Sequence, residues 1–246
     1  NVLFVSTAEA GSGAPLLANA HAAFQAEAAS RGLTFVDRTG GLASASTSLS
    51  ADIANAAMLV VVTVYDPANA ARMAEVDAAL KSRPDLLVLG FVDGCCSQPE
   101  NISTFMPSVN AIAPWGATTV AYQAEVVTAP VNPASPYAAS FPVTIAGGYF
   151  SSLGNVPNAY QLYTDPGVGR SGNAYGLFVP QAASNSGAGA CLFMLADASQ
   201  FGNGTQSADI AKAFATAALD PPEEPPGANA ALPPSLRRQG EITLPK

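Results

Sequence analysis

The residues best equipped for chemistry in this chain are carboxylates that follow aliphatic and β-branched runs. Glu9 comes after Val2 to Ser6, Asp37 after Leu33 to Val36, Asp66 after Met58 to Tyr65, Asp93 after Leu86 to Val92, and Asp197 after Cys191 to Ala196. If those runs are parallel strands, five of the 18 acidic residues gather at the edge where open α/β sheets bind their ligands. Gathered carboxylates repel one another. They are stabilised by a hard cation, by raised pKa values suited to acid–base work, or by turns, water and helix N-termini. Glu9, Asp66, Asp93 and Asp197 are therefore the candidate ligands for Ca²⁺ or Mg²⁺, and Asp66, Asp93 and Asp197 the candidate catalytic set. Capping is the competing reading, because Asp66-Pro67 and Asp93-Gly94 are turn dipeptides. No organic cofactor is expected.

Other chemistries have fewer residues to work with. The single histidine, His21, shares a helical stripe with Leu17 and Phe24, whereas a general base is usually presented from a loop, and any Ser or Cys triad would have to use it. Cys95 and Cys96 are adjacent and Cys191 is distant, so the three cysteines lack zinc spacing. They are read either as buried thiols or, in an exported chain, as one bridge from Cys191 to Cys95 or Cys96. Gly11-Ser12-Gly13 follows a strand and precedes a helix without a GxGxxG pattern or a Walker lysine. Asn101-Ile102-Ser103 and Asn203-Gly204-Thr205 fit the glycosylation sequon.

The elements that must position these residues alternate over the first hundred positions. Strand-like Val2 to Ser6 leads to a helix opened by Pro15 and ended by Gly32. Leu33 to Val36, a short helix near Ser50 to Ala56, Met58 to Tyr65, a helix from Asn69 to Ser82 and Leu86 to Val92 follow. The strands are continuous apolar runs, which predicts a parallel sheet covered by helices on both faces. Residues 94 to 116, with Pro99, Pro107, Pro114 and the only tryptophan, Trp115, read as an irregular excursion. Thr118 to Thr128, Phe141 to Phe150, Tyr160 to Thr164, Tyr175 to Pro180 and Cys191 to Ala196 then read as strands, the last two as a hairpin, before a helix from Ser207 to Leu219. The expected fold is one α/β domain, residues 1–219, a three-layer parallel-sheet sandwich with β-hairpin decorations in its second half. Residues 220–246 hold seven of the 20 prolines, among them Pro221, Pro222, Pro225, Pro226, Pro233 and Pro234, and read as an extended tail.

Composition bounds the partners. The chain has 246 residues, 49% of them hydrophobic and 11% charged, with 10 basic residues against 18 acidic ones and a net charge of −8. Nucleic acid is a poor partner for that balance. No apolar run reaches the ~18 residues of a membrane helix. The small, weakly charged surface residues and a first strand starting almost at Asn1 suggest an exported protein, extracellular or on the cell surface, whose signal peptide has been removed.

The order of elements, with Val64-Tyr65-Asp66, the strand Leu86 to Val92 leading into Gly94-Cys95-Cys96, and the late Phe193 to Phe201, resembles the class I glutamine amidotransferase-like, flavodoxin-like domains. The resemblance is to their non-catalytic exported branch. Catalytic members carry a Gly-x-Cys-x-Gly elbow after the fourth strand and a later His-x-Glu pair. Here the glycines around Cys95 and Cys96 are broken and no histidine follows. The tail, Pro-rich and with Leu236-Arg237-Arg238-Gln239-Gly240 towards its end, resembles the spacer before a surface-sorting segment. The function expected is a non-enzymatic structural protein that self-associates into a homo-oligomer or polymer, its tail docked on a neighbour. The alternative is a hydrolase or ligand-binding domain that uses the strand-end acids.

Overall fold

Nine strands and five helices make up the computed structural model, which describes residues 1–7, 14–43, 47–64, 68–92, 100–113, 115–167, 169, 172–180, 189–202 and 204–219. The apolar runs form β1 (Val2–Ser6), β3 (Met58–Thr63), β4 (Leu87–Val92) and β9 (Cys191–Leu195), every residue of them buried. With β2 (Phe35–Arg38) they pair parallel in the order β2-β1-β3-β4-β9. Strands buried on both faces need helices on both sides, and the alternating helices supply them. α1 (Ala14–Ser30) packs on α5 (Gly204–Leu219), and α3 (Ala70–Ser82) on α2 (Ser50–Ala54) and α4 (Glu100–Ile112). The chain is thus an α/β protein with a mostly parallel central sheet of flavodoxin-like order.

Adjacent residues of β4 show the two layers. Phe91 meets Phe24 of α1, Phe214 of α5, and Phe201 in the helical turn that precedes α5. Gly90 points the other way, and a Cβ there would lie 2.9 Å from two ring atoms of Phe105 on α4. The residues 94–116, expected to be irregular, therefore contain a helix. Phe105, Val109 and Ile112 recur at helical spacing and are fully buried, while Pro107 sits on the exposed face of the same helix. Three prolines in the segment obscured that period. Gly32, with φ of +67°, ends α1 as anticipated.

The second half is more closed than a set of hairpins. β8 (Ala174–Val179) pairs antiparallel with β9 on one side; β7 (Gln161–Thr164) pairs with it antiparallel, and β6 (Thr144–Gly154) touches it at Leu153↔Ala174. β5 (Thr118–Pro130) pairs with β6, and a bridge from Val131 to Tyr163 joins its end to β7. The circuit β8-β6-β5-β7-β8 is thereby closed like a small barrel. The connection from β5 to β6 plugs back into the core, with Tyr137 and Phe141 against Phe178, Phe193 and Phe214. One buried apolar cluster runs from Val2 to Ala217. No described helix is long and apolar enough to cross a membrane. Pro221, Pro222, Pro225, Pro226, Pro233 and Pro234 lie outside the described residues.

Candidate functional site

In this strand order the sheet reverses between β1 and β3, and the crevice beyond their carboxyl ends is the default ligand position. Described residues bound part of it. The Thr7 hydroxyl donates to Val64 O (3.2 Å) and accepts from Val64 N (2.9 Å), tying the two strand ends together. The loop after β2 folds over them: Gly40 N donates to Ser6 Oγ (3.1 Å), Leu42 N to Ser6 O (2.9 Å), and Asn69 N to Leu42 O (2.7 Å). Leu42 is fully buried there. Glu9, Asp66, Asp93, Cys95, Cys96 and Gly11-Ser12-Gly13 lie outside the described residues.

The two strand-end acids that are described work as local clamps. Asp37 lies within β2 rather than after it. Its Oδ1 accepts from the amide and hydroxyl of Thr39 (both 2.8 Å), and its Oδ2 lies 3.0 Å from His21 Nε2. Partial burial pushes this carboxyl up, but the Thr39 amide and hydroxyl and His21 outweigh it and hold it below the ordinary range. The His21 ring meets Phe4 and Phe35 edge-on, so it sits on the α1 stripe expected for it and latches α1 to β2. Asp197 is fully buried, and its Oδ1 accepts from Ala198 N (2.7 Å), Ser199 N (3.0 Å) and Ser199 Oγ (3.0 Å), a cap on the turn that follows β9. β2 and β9 are four strand spacings apart, roughly 19 Å. Asp37 and Asp197 therefore do not share a site. Among the described residues no group of three His, Cys, Asp or Glu is placed to hold a metal ion.

Cys191 is buried at the start of β9, level with Leu87 at the start of β4. Its expected partners, Cys95 and Cys96, lie outside the described residues.

Among the described residues, an open cleft at the carboxyl edge lies beside a residue the strand-end inventory omits, Asp165. β7 is reached from β9 through two antiparallel pairings, so it points the same way, and Asp165 leaves it at the same edge as Asp197. Its carboxylate is buried: Oδ1 accepts from Gly167 N (2.8 Å), and Oδ2 accepts from the Ser152 hydroxyl. A cleft of about 650 Å³ opens beside it, lined by Val156, Asn158, Gln161, Thr164 and the glycines 167, 169 and 172. Buried amides hold its walls. Gln161 Nε2 donates to Val156 O and Gly172 O (both 2.9 Å), and Asn132 Nδ2 donates to Asn158 O (2.6 Å) and Gln161 O (3.0 Å). The sequence does carry a signal, Asp165-Pro166-Gly167 directly after Tyr160 to Thr164, but only the topology shows which edge it reaches.

No family model matches the chain, and no curated protein matches it. Similar solved structures include the exo-β-1,4-mannosidase Op5Man5 from Opitutaceae bacterium strain TAV5, at 12% identity and a TM-score of 0.49, over 89% of this chain and 35% of that one. The chain thus spans about a third of the mannosidase's length. A second is a putative ThuA-like protein from Bacteroides uniformis ATCC 8492, at 12% identity and a TM-score of 0.45, over 87% of this chain and 89% of that one. Likenesses this distant carry no functional argument, and the fold rests on the strand order itself.

Proposed function

We propose that this chain is a small-ligand-binding α/β domain whose site is the cleft at the end of β7. The observation that carries it is the buried Asp165 carboxylate, fixed by Ser152 and Gly167 beside about 650 Å³ of open space at the carboxyl edge. A volume of that order suits a small molecule, and walls pinned by Gln161 and Asn132 reduce the ordering cost of binding. Asp37 and Asp197 hold α1 and the turn after β9, and so support the edge rather than meet the ligand.

The test is a metabolite screen read by amide NMR shifts. Ligands should move the amides of Gly167, Gly169 and Gly172 in the full chain. Asp165→Ala should abolish those shifts, while Asp37→Asn leaves them. A library that moves no cleft amide, or binding that survives Asp165→Ala, would sink the proposal.

A further inference from the structure

Charge is distributed unevenly along this chain. About a quarter of the residues of a soluble domain are usually charged, yet Val126 to Thr164 contains no Asp, Glu, Lys, Arg or His. The fold brings the middle of that stretch to one surface. At the end of the β5 and β6 pair, Ala129 and Ile145 lie opposite each other and are buried, while the flanking pairs Thr128↔Ala146 and Pro130↔Thr144 are exposed. Val131 N donates to Val143 O (2.8 Å) and closes the base of the loop between the strands. That loop winds as successive turns, with Ser135 N donating to Asn132 O, Ala138 N to Ser135 O and Ser140 N to Tyr137 O. Tyr137 and Phe141 are buried by this winding, and Pro133, Ala134, Pro136 and Ala139 stay outside. Val143 is 74% exposed, the more exposed of the two large apolar side chains left in solvent among the described residues. One exposed valine is ordinary on a soluble protein. Depletion of charge over a surface that also exposes apolar side chains is the mark of an interface centre.

We infer that this face, residues 128–146, is where two copies of the chain pair, patch against patch across a two-fold axis. A partner must be as free of charge as the patch, because a charged group buried against it would meet no counter-charge. Described charges lie on other elements, with Arg38 and Asp52 paired across β2 and α2, and Asp77 with Lys81 on α3. An acidic or basic partner, or the α2 and α3 side of this chain, is therefore a poor fit, and the same patch on a second copy is a good one. Contact of like with like closes at two subunits and leaves no face for a third. The surface is also preformed, which lowers the cost of ordering it on association. Tyr137 and Phe141 fix the loop against Phe178, Phe193 and Phe214, and the Gln206 side chain of α5 braces the start of β6 by accepting from Ala146 N (3.3 Å) and donating to Thr144 O (3.4 Å).

The experiment measures the mass of the full chain by sedimentation velocity and light scattering from about 10 μM to about 0.5 mM, a range that brackets a modest homodimer. A monomer–dimer equilibrium with no larger species is expected. Val143→Asp places a charge of the same sign on both sides of the contact from an exposed position. It should leave the circular dichroism spectrum and Tm unchanged while weakening dimerisation about tenfold or more. Ala139→Lys, on the outer side of the loop, should do the same and keeps the test open if Val143→Asp fails to fold. Ala74→Lys, at an exposed position of α3 outside the patch, should leave the mass unchanged. A chain that stays monomeric across the whole range, or a dimer that the folded patch variants leave intact, overturns the inference. A ladder of larger assemblies shows head-to-tail contact and overturns the two-fold pairing.

Discussion

Gly90 is where the layered packing is least forgiving, and Gly90→Ala measures it. A Cβ at this position would stand 2.9 Å from both Cε1 and Cζ of Phe105, while carbon atoms in contact prefer about 3.5–4.0 Å. The shortfall is at least about half an ångström against two atoms of a ring that has no exposed surface. Relief requires the ring to leave its rotamer or α4 to lift from β4. Overpacking of this kind costs about 1–3 kcal/mol. Alanine recovers about 0.5–1 kcal/mol of the glycine's backbone entropy in a strand. The net expectation is a loss of about 1–2 kcal/mol, or roughly 2–8 °C in Tm for a chain of this size.

Urea unfolding followed by circular dichroism gives the loss directly, and Phe105→Leu supplies the control. Shortening the ring destabilises by itself, but it should make Gly90→Ala nearly neutral in the double variant, a coupling of about 1 kcal/mol or more. If Gly90→Ala is neutral or stabilising in the parent, or if it costs as much in the Phe105→Leu background, α4 does not lie on β4 as described.

Asp37 predicts a pH dependence whose sign follows from its depressed pKa. The stability it contributes is present in full above its unfolded value, about 3.8, and is lost as the pH falls through the lower folded value. The Tm gap between the parent and Asp37→Asn should therefore close on acidification, and a gap constant down to strong acid refutes the clamp. Asp197→Ala orphans three donors and should cost about 2 kcal/mol in urea unfolding, with Asp197→Asn much milder because it keeps an acceptor; equal losses would show that capping is not the role. Asn155, the only described non-glycine residue at positive φ (+59°), turns the chain from β6 into the cleft wall. Asn155→Val should cost about 1–2 kcal/mol and Asn155→Gly almost nothing in the same measurement.

The parallel half of the sheet was legible because each strand is a continuous apolar run bounded by turn residues, a pattern that only double-sided burial explains. Even there β2 slid by two positions, to Phe35–Arg38, because an edge strand is half-exposed and lacks that signal. α4 was hidden for another reason. Pro99, Pro107 and Pro114 read as breaks, yet Pro107 lies on the exposed side of a helix held by Phe105, Val109 and Ile112. Packing of that face outweighs the one backbone bond proline forgoes.

Of the strand-end acids only Asp37 and Asp197 are among the described residues, and neither lines the described cleft. Counting acids after the strands of the parallel core assumes that only those strands bring their carboxyl ends to that edge. Asp197 follows the rule of position yet turns inward as a cap, so position alone does not make a ligand-facing carboxylate. Asp165 follows a strand outside the parallel core, but two antiparallel pairings return its direction to that of β9. Around the usual crevice the described residues include the buried Leu42 and the Thr7 hydroxyl, and a described open space lies at the mouth of the small barrel-like circuit, where the wall spacing depends on Gln161 and Asn132. A carboxylate becomes a candidate site when the sheet direction brings it to the edge and the surrounding chain leaves room beside it. Asp165 is the described acid that meets both conditions.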